Sequence, residues 1–135
     1  MKDNLITKQH VAVIDIGTSA IRMVVAELGP KEEIRYLENL HKPVRFGKEV
    51  FTTGRLGGAV LREAIAILKN YKLVIESYGI KKVQAIATSA VREAADRDNF
   101  IDQVFVRTGI DIEVIEGPEE NRLELLAVEH ALTGK

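Results

Sequence analysis

The sequence predicts an α/β fold, a mixed sheet with flanking helices. Three observations carry that expectation. Residues 11 to 44 hold three apolar, β-rich runs separated by turn residues. Residues 59 to 78 repeat apolar side chains at spacings of three and four, the period of a helix with one buried face. Beyond that helix, strand-like and helix-like segments alternate, which gives the order βββ-α-β-α-β-α and changes the connections from hairpins to crossovers.

The elements follow in order. Residues 1 to 9 are polar and read as a lead-in. Val11-Ala12-Val13-Ile14 opens the first strand, broken by Asp15, and Gly17-Thr18-Ser19 turns the chain into a second strand, Ile21 to Ala26. Gly29 to Glu33 is a turn. Ile34 to Val44 is a third strand, expected to show Ile34, Tyr36 and Glu38 on one face and Arg35, Leu37 and Asn39 on the other. Residues 45 to 58 contain Gly47, Gly54, Gly57 and Gly58 and read as a loop. Lys42, Arg45 and Lys48 read first as solvated surface charge and second as a polyanion contact.

Ala59 to Tyr78 is a long helix burying Val60, Ala64, Ile67, Leu68, Tyr71 and Ile75, and Gly79 ends it in the left-handed conformation. Val83 to Ala87 is a short buried strand. Asp98 to Thr108 is a helix with Phe100, Ile101, Val104 and Phe105 inward, closed by Gly109. Asp111 to Ile115 is the fifth strand. Pro118 opens a last helix, where its missing N–H costs nothing, and Leu123, Leu126, Ala127, His130 and Ala131 line its inner side.

Composition narrows the function. A chain of 135 residues with 46% hydrophobic side chains suits one domain with a real core. With 19 basic and 20 acidic side chains it has no cationic excess for a nucleic-acid backbone, so no nucleic-acid partner is expected. Cysteine is absent, and His10, His41 and His130 lack metal-ligand spacing. No apolar run approaches the ~20 residues that cross a bilayer, and the first residues lack the apolar core of a signal peptide. A cytoplasmic protein without a membrane partner is the expectation.

Three segments carry chemistry. The Asp15 to Ser19 corner offers a carboxylate, backbone N–H groups beside Gly17, and the hydroxyls of Thr18 and Ser19. Such a corner suits a phosphate oxygen and a hard cation, although the same residues build an ordinary hairpin turn. Ala87 to Ala94, ATSAVREA, places Arg92 where the chain leaves the fourth strand. Ligands of open α/β sheets gather at such strand ends, and a guanidinium grips phosphate with paired hydrogen bonds; a helix start with a surface Arg–Glu pair is the bland alternative. Glu116 to Leu123, EGPEENRL, follows the fifth strand. Glu119 and Glu120 would be favoured by the helix dipole alone, yet a carboxylate there is also placed to act as a base toward water.

The element order resembles the ribonuclease-H-like unit of actin, the chaperone ATPases and the sugar kinases. The three motifs together resemble the exopolyphosphatase and guanosine pentaphosphate phosphohydrolase (Ppx/GppA) family. Asp15-Ile16-Gly17-Thr18-Ser19-Ala20-Ile21-Arg22-Met23 matches the family's hairpin, Ala87 to Ala94 its post-strand motif, and Gly117 to Leu123 its Gly-x-Glu-Glu-Ala-Arg-Leu motif. Ser19, Ala20 and Asn121 differ from the family pattern. The resemblance implies Glu120 as catalytic base and Asp15 as the residue holding Mg²⁺ or its waters. It implies Gly17, Thr18, Ser19, Arg22 and Arg92 as phosphate-binding residues. The implied substrate is inorganic polyphosphate or guanosine pentaphosphate.

The family continues into a second Gly-rich phosphate loop that is absent from these residues. Residues 1–135 are therefore expected to be a single N-terminal half-domain, nearly inactive alone, whose uncovered cleft favours a homodimer. A non-catalytic module that senses polyphosphate or an alarmone is the second reading, and an ATP-using kinase of the same superfamily the third.

Overall fold

In the computed structural model, residues 8–116 are described. Strands β1 (Gln9–Ile16) and β2 (Ala20–Leu28) form an antiparallel hairpin, and β3 (Ile34–Pro43) adds to β2 in the same sense. Strand β4 (Lys82–Ala87) pairs parallel with β1, and β5 (Ile112–Val114) parallel with β4, giving one sheet in the order β3-β2-β1-β4-β5. Among the described residues a 3-10 turn (Pro30–Glu32) and four α-helices connect them: α1 (Phe46–Thr53), α2 (Gly57–Ser77), α3 (Ser89–Glu93) and α4 (Arg97–Thr108). This is the mixed sheet with flanking helices that the sequence predicts.

The near-continuous apolar reading of β1 and β2 follows from burial on both faces. Ala12, Ile14, Ile16, Ile21, Met23 and Val25 join the core shared with the helices. Val11, Ala26 and Leu28 form a second buried cluster. Helix α2 contributes Val60, Ala64, Leu68, Tyr71 and Ile75 to the main core, while Ile67 is only partly buried. Burying one such Leu is worth roughly 2 kcal/mol, and Leu68→Ala would cost about 2–5 kcal/mol once the cavity is included. Gly79 and Gly109 follow α2 and α4 at φ of 65° and 77°, the left-handed backbone expected of them.

Four expectations need correction. The stretch from 45 to 58 is not a loop: residues 46–53 form α1, which buries Phe46, Gly47 and Val50 and stops at left-handed Gly54. Phe105 points outward and is 51% exposed, because α4 buries the stripe of Phe100, Val104 and Thr108 instead. The fourth strand is buried only from Ala85 to Ala87, and Val83 is 38% exposed. The simple alternation of β3 fails at a β-bulge: Val25 pairs with Glu38 and Ala26 with Tyr36, so Leu37 is the extra residue. Leu37 then packs against the main core, and Glu38 accepts a 2.7 Å hydrogen bond from the Tyr78 hydroxyl. The helix expected from Pro118, with His130 on its inner side, lies outside the described residues.

Candidate phosphate site

The parallel pairing of β1, β4 and β5 brings their C-terminal ends to one edge of the sheet, where ligands of open α/β folds bind. The corner between β1 and β2 stands on that edge. The Gly17 amide donates to the Ala20 carbonyl at 3.0 Å and closes the turn. That amide is therefore used inside the hairpin, not offered outward as expected. Thr18 and Ser19 are exposed, and among the described residues no hydrogen bond engages their amides or hydroxyls. Their carbonyls are held from below: Gly47 N–H donates to Thr18 at 2.7 Å and Val44 N–H to Ser19 at 3.0 Å. The approach is close. A Cβ on Gly47 would lie 3.2 Å from Thr18 Cβ and 3.3 Å from its carbonyl oxygen. The start of α1 is thus a platform for the corner.

Strand register lines up the charged residues. Asp15 pairs with Arg22 across β1 and β2, and Arg22 pairs with His41 across β2 and β3. Directly opposed residues share a face, so carboxylate, guanidinium and imidazole form one row beside the corner. Asp15 keeps one carboxylate oxygen, Oδ1, shielded from solvent. Among the described residues, no group of three or more His, Cys, Asp or Glu side chains is placed to hold a metal alone. One carboxylate beside hydroxyls and an incoming phosphate fits Mg²⁺, which keeps several waters and takes few protein ligands.

The segment after β4 reaches the same edge. Thr88 donates its N–H to the Ile16 carbonyl at 3.1 Å and its hydroxyl to the same oxygen at 3.4 Å. Thr88 is buried, so its hydroxyl ties β4 to the corner instead of facing a ligand. Arg92 sits one turn on, largely buried, and Nη1 donates to the Ile115 carbonyl at 2.9 Å. Ile115 in turn donates its N–H to Ala87 at 2.9 Å. Arg92 therefore joins the two post-strand segments. Its own carbonyl accepts from Arg97 Nη1 at 3.0 Å.

A second brace holds this region to α2. Asp96 accepts the amides of Leu56 at 2.8 Å and Gly57 at 3.0 Å, and Ala95 N–H donates to Gly54 at 2.9 Å. Burial alone would raise the Asp96 pKa; the two amides, with Arg55 at 3.9 Å, outweigh it and hold the carboxyl below its ordinary value.

Asp15, Gly17, Thr18, Ser19 and Arg22 thus gather on the hairpin, with Arg92 on the same edge beyond β4. Glu119 and Glu120 lie outside the described residues. Gly47 and His41 were not singled out by sequence as site residues. The signal for Gly47 was present in Phe46 and Val50, four apart with Gly54 after them, which marks a short helix.

A model of the Ppx/GppA phosphatase family matches residues 24–135. The chain belongs to that family. The matched span contains Arg92 and Glu120 and begins inside β2, after the corner. The bifunctional 3-dehydroquinate synthase/phosphatase of Fusobacterium nucleatum is 34% identical over 115 residues, covering 81% of this chain and 17% of that protein. Exopolyphosphatase 2 of Mycobacterium tuberculosis is 31% identical over 122 residues, covering 84% of this chain and 38% of that protein. The crystal structure of the Aquifex aeolicus Ppx/GppA family member superposes with a TM-score of 0.82 at 31% identity, covering 94% of this chain and 41% of that one. An exopolyphosphatase from Cytophaga hutchinsonii gives 0.79 at 29% identity, covering 85% and 36%. The chain spans less than half the length of each of these relatives. Among the described residues, no helix is long and apolar enough to cross a membrane.

Proposed function

We propose that this chain forms one wall of the cleft of a cytoplasmic phosphohydrolase that releases the terminal phosphate of inorganic polyphosphate. A second domain supplies the other wall. The observation that carries the reading is the convergence on one sheet edge of the Thr18-Ser19 corner and the Arg92 segment, joined through Thr88 to Ile16 and through Arg92 to Ile115. The exopolyphosphatase relatives favour polyphosphate, and guanosine pentaphosphate, which presents the same phosphoanhydride, is the second substrate.

In this mechanism Thr18 and Ser19 donate to the terminal phosphate, and Arg22 and Arg92 balance its charge. Asp15 would hold Mg²⁺, which when bound would neutralise phosphate charge. Glu120 takes the proton of the attacking water as general base, which turns water into a nucleophile where phosphorus is exposed. The buried contacts of Thr88 and Asp96 fix the edge before substrate arrives, so little reorganisation is needed.

The test is Glu120→Gln in the full-length enzyme, read as phosphate release from long-chain polyphosphate with Mg²⁺. Release falling by at least about a hundredfold with binding retained supports the role, since general-base catalysis contributes on that order. Unchanged release removes Glu120 from it.

A further inference from the structure

We propose that Lys42, Arg45 and Lys48 form a second subsite, which receives the phosphates that follow the first in a linear phosphate chain. The proposal rests on the reading of the Thr18-Ser19 corner as the terminal-phosphate site.

The segment from 42 to 48 sorts its side chains by burial. Val44, Phe46 and Gly47 are buried, while Lys42, Arg45 and Lys48 are exposed. Lys42 is the penultimate residue of β3, Arg45 caps α1 and Lys48 lies in its first turn, so the buried residues between them leave all three exposed along the segment. Two backbone bonds fasten this segment to the corner: Val44 to Ser19 at 3.0 Å and Gly47 to Thr18 at 2.7 Å. Pro43 pairs with Ala20 and Lys42 with Ile21, which sets Lys42 opposite the second residue after the corner on the neighbouring strand. The cations are thus held beside Thr18 and Ser19 by an ordered backbone.

The segment from 42 to 48 contains no Asp or Glu, and one acid, Glu49, follows it, so the stretch keeps a net positive charge. Among the described residues, none of the three cations forms an ion pair, a property they share with the control cations Lys69, Lys81 and Arg107, so what sets them apart is their anchoring to the corner. Three like charges on a short rigid segment repel one another, and a polyanion relieves that repulsion. A single phosphate filling the corner would not use them. A chain that continues past the corner meets a cation for each of its next few charges. The sequence alone could not separate this from solvated surface charge, because it gave neither the buried alternation nor the anchoring to the corner.

The experiment measures binding of tripolyphosphate and of long-chain polyphosphate, with Mg²⁺, to three proteins. These are the 135-residue chain, a Lys42→Gln/Arg45→Gln/Lys48→Gln variant, and a charge-matched control with Lys69→Gln, Lys81→Gln and Arg107→Gln. All six positions are exposed, and circular dichroism checks that each protein folds. The subsite variant is expected to bind long-chain polyphosphate about tenfold more weakly, as three surface ion pairs of about 0.5 kcal/mol each imply. Its loss toward tripolyphosphate is smaller, and the control binds as the parent does. Equal weakening of both variants means diffuse attraction and overturns the subsite. Unchanged long-chain binding in the subsite variant overturns the subsite and leaves the corner standing. No binding of either phosphate by the parent chain overturns the corner reading, and the subsite with it.

Discussion

Gly47→Ala tests whether α1 is the platform of the phosphate corner. The added Cβ would stand 3.2 Å from Thr18 Cβ, 3.3 Å from the Thr18 carbonyl oxygen and 3.4 Å from the Phe51 ring. Carbon atoms prefer about 3.5–4.0 Å, so Thr18 or the start of the helix must yield by a few tenths of an ångström. Forcing one methyl into a packed contact costs about 1–3 kcal/mol. Replacing Gly by Ala in a helix returns up to about 1 kcal/mol. The net is a destabilisation of about 0–3 kcal/mol, at about 4 °C in Tm per kcal/mol for a domain of this size. Displacement of Thr18 also strains the 2.7 Å bond from the Gly47 amide, so phosphate affinity falls together with Tm. Gly17→Ala is the control. Its Cβ would meet only the Ala20 carbonyl oxygen, at 3.8 Å, an ordinary contact, and Gly17 has no positive φ. The assay is a thermal melt and a phosphate titration of both variants. A Gly47→Ala protein that melts at or above the wild-type temperature with unchanged affinity would falsify the platform, as would a Gly17→Ala protein that melts lower than Gly47→Ala.

Three other outcomes follow from the same contacts. Tyr71→Phe removes the 2.7 Å bond to the Ile21 carbonyl and should cost about 1 kcal/mol in urea denaturation at pH 8. Burial raises the Tyr71 pKa above 10.0, so its contribution is whole below pH 10 and is lost as pH rises toward the folded value; the Phe variant should show a shallower alkaline decline in urea midpoint. Asp96→Ala should cost about 1–2 kcal/mol, as loss of a helix-start cap does. The depressed Asp96 carboxyl stabilises the fold above its ordinary pKa of 3.8, and this is lost as pH falls through the folded value, so the gap between variant and wild-type midpoints should narrow from pH 7 to pH 3. Arg92→Lys keeps the charge but not the planar fork that donates to Ile115; if Arg92 also holds phosphate as proposed, phosphate titration should show about tenfold weaker binding, and equal affinity would reduce Arg92 to a simple point charge.

The strands were legible because β1 and β2 bury both faces, leaving only Asp15 and Arg22 as charged residues between Val11 and Ala26 to blur the pattern. The long helix was legible because five of its inward residues keep helical spacing over several turns. Helix α1 was not, since only Phe46 and Val50 carry its period and its glycines look like a loop; what stabilises it is tertiary, the contact of Gly47 with Thr18. Phe105 was misread because Ile101 and Phe105 also fit a four-residue spacing, one stripe away from the stripe that α4 buries. At the site, sequence named donors and could not name their partners. The Gly17 amide and the Thr88 hydroxyl both look available in a string of letters, and both are committed to the backbone of the edge.

Register decides the rest. Asp15, Arg22 and His41 share a row only because Pro43 pairs with Ala20 and the pairing holds back to Glu38 before the bulge intervenes. The extra residue, Leu37, is absorbed beyond that point, toward the far end of β3. The irregularity that the third strand needed to bury Leu37 thus falls where it leaves the corner untouched. Had it fallen between His41 and Pro43, His41 would have turned to the opposite face from Arg22, and Lys42 would have lost its place beside Ile21 next to the corner. The position of one bulge therefore fixes which charged residues stand beside the corner at this edge.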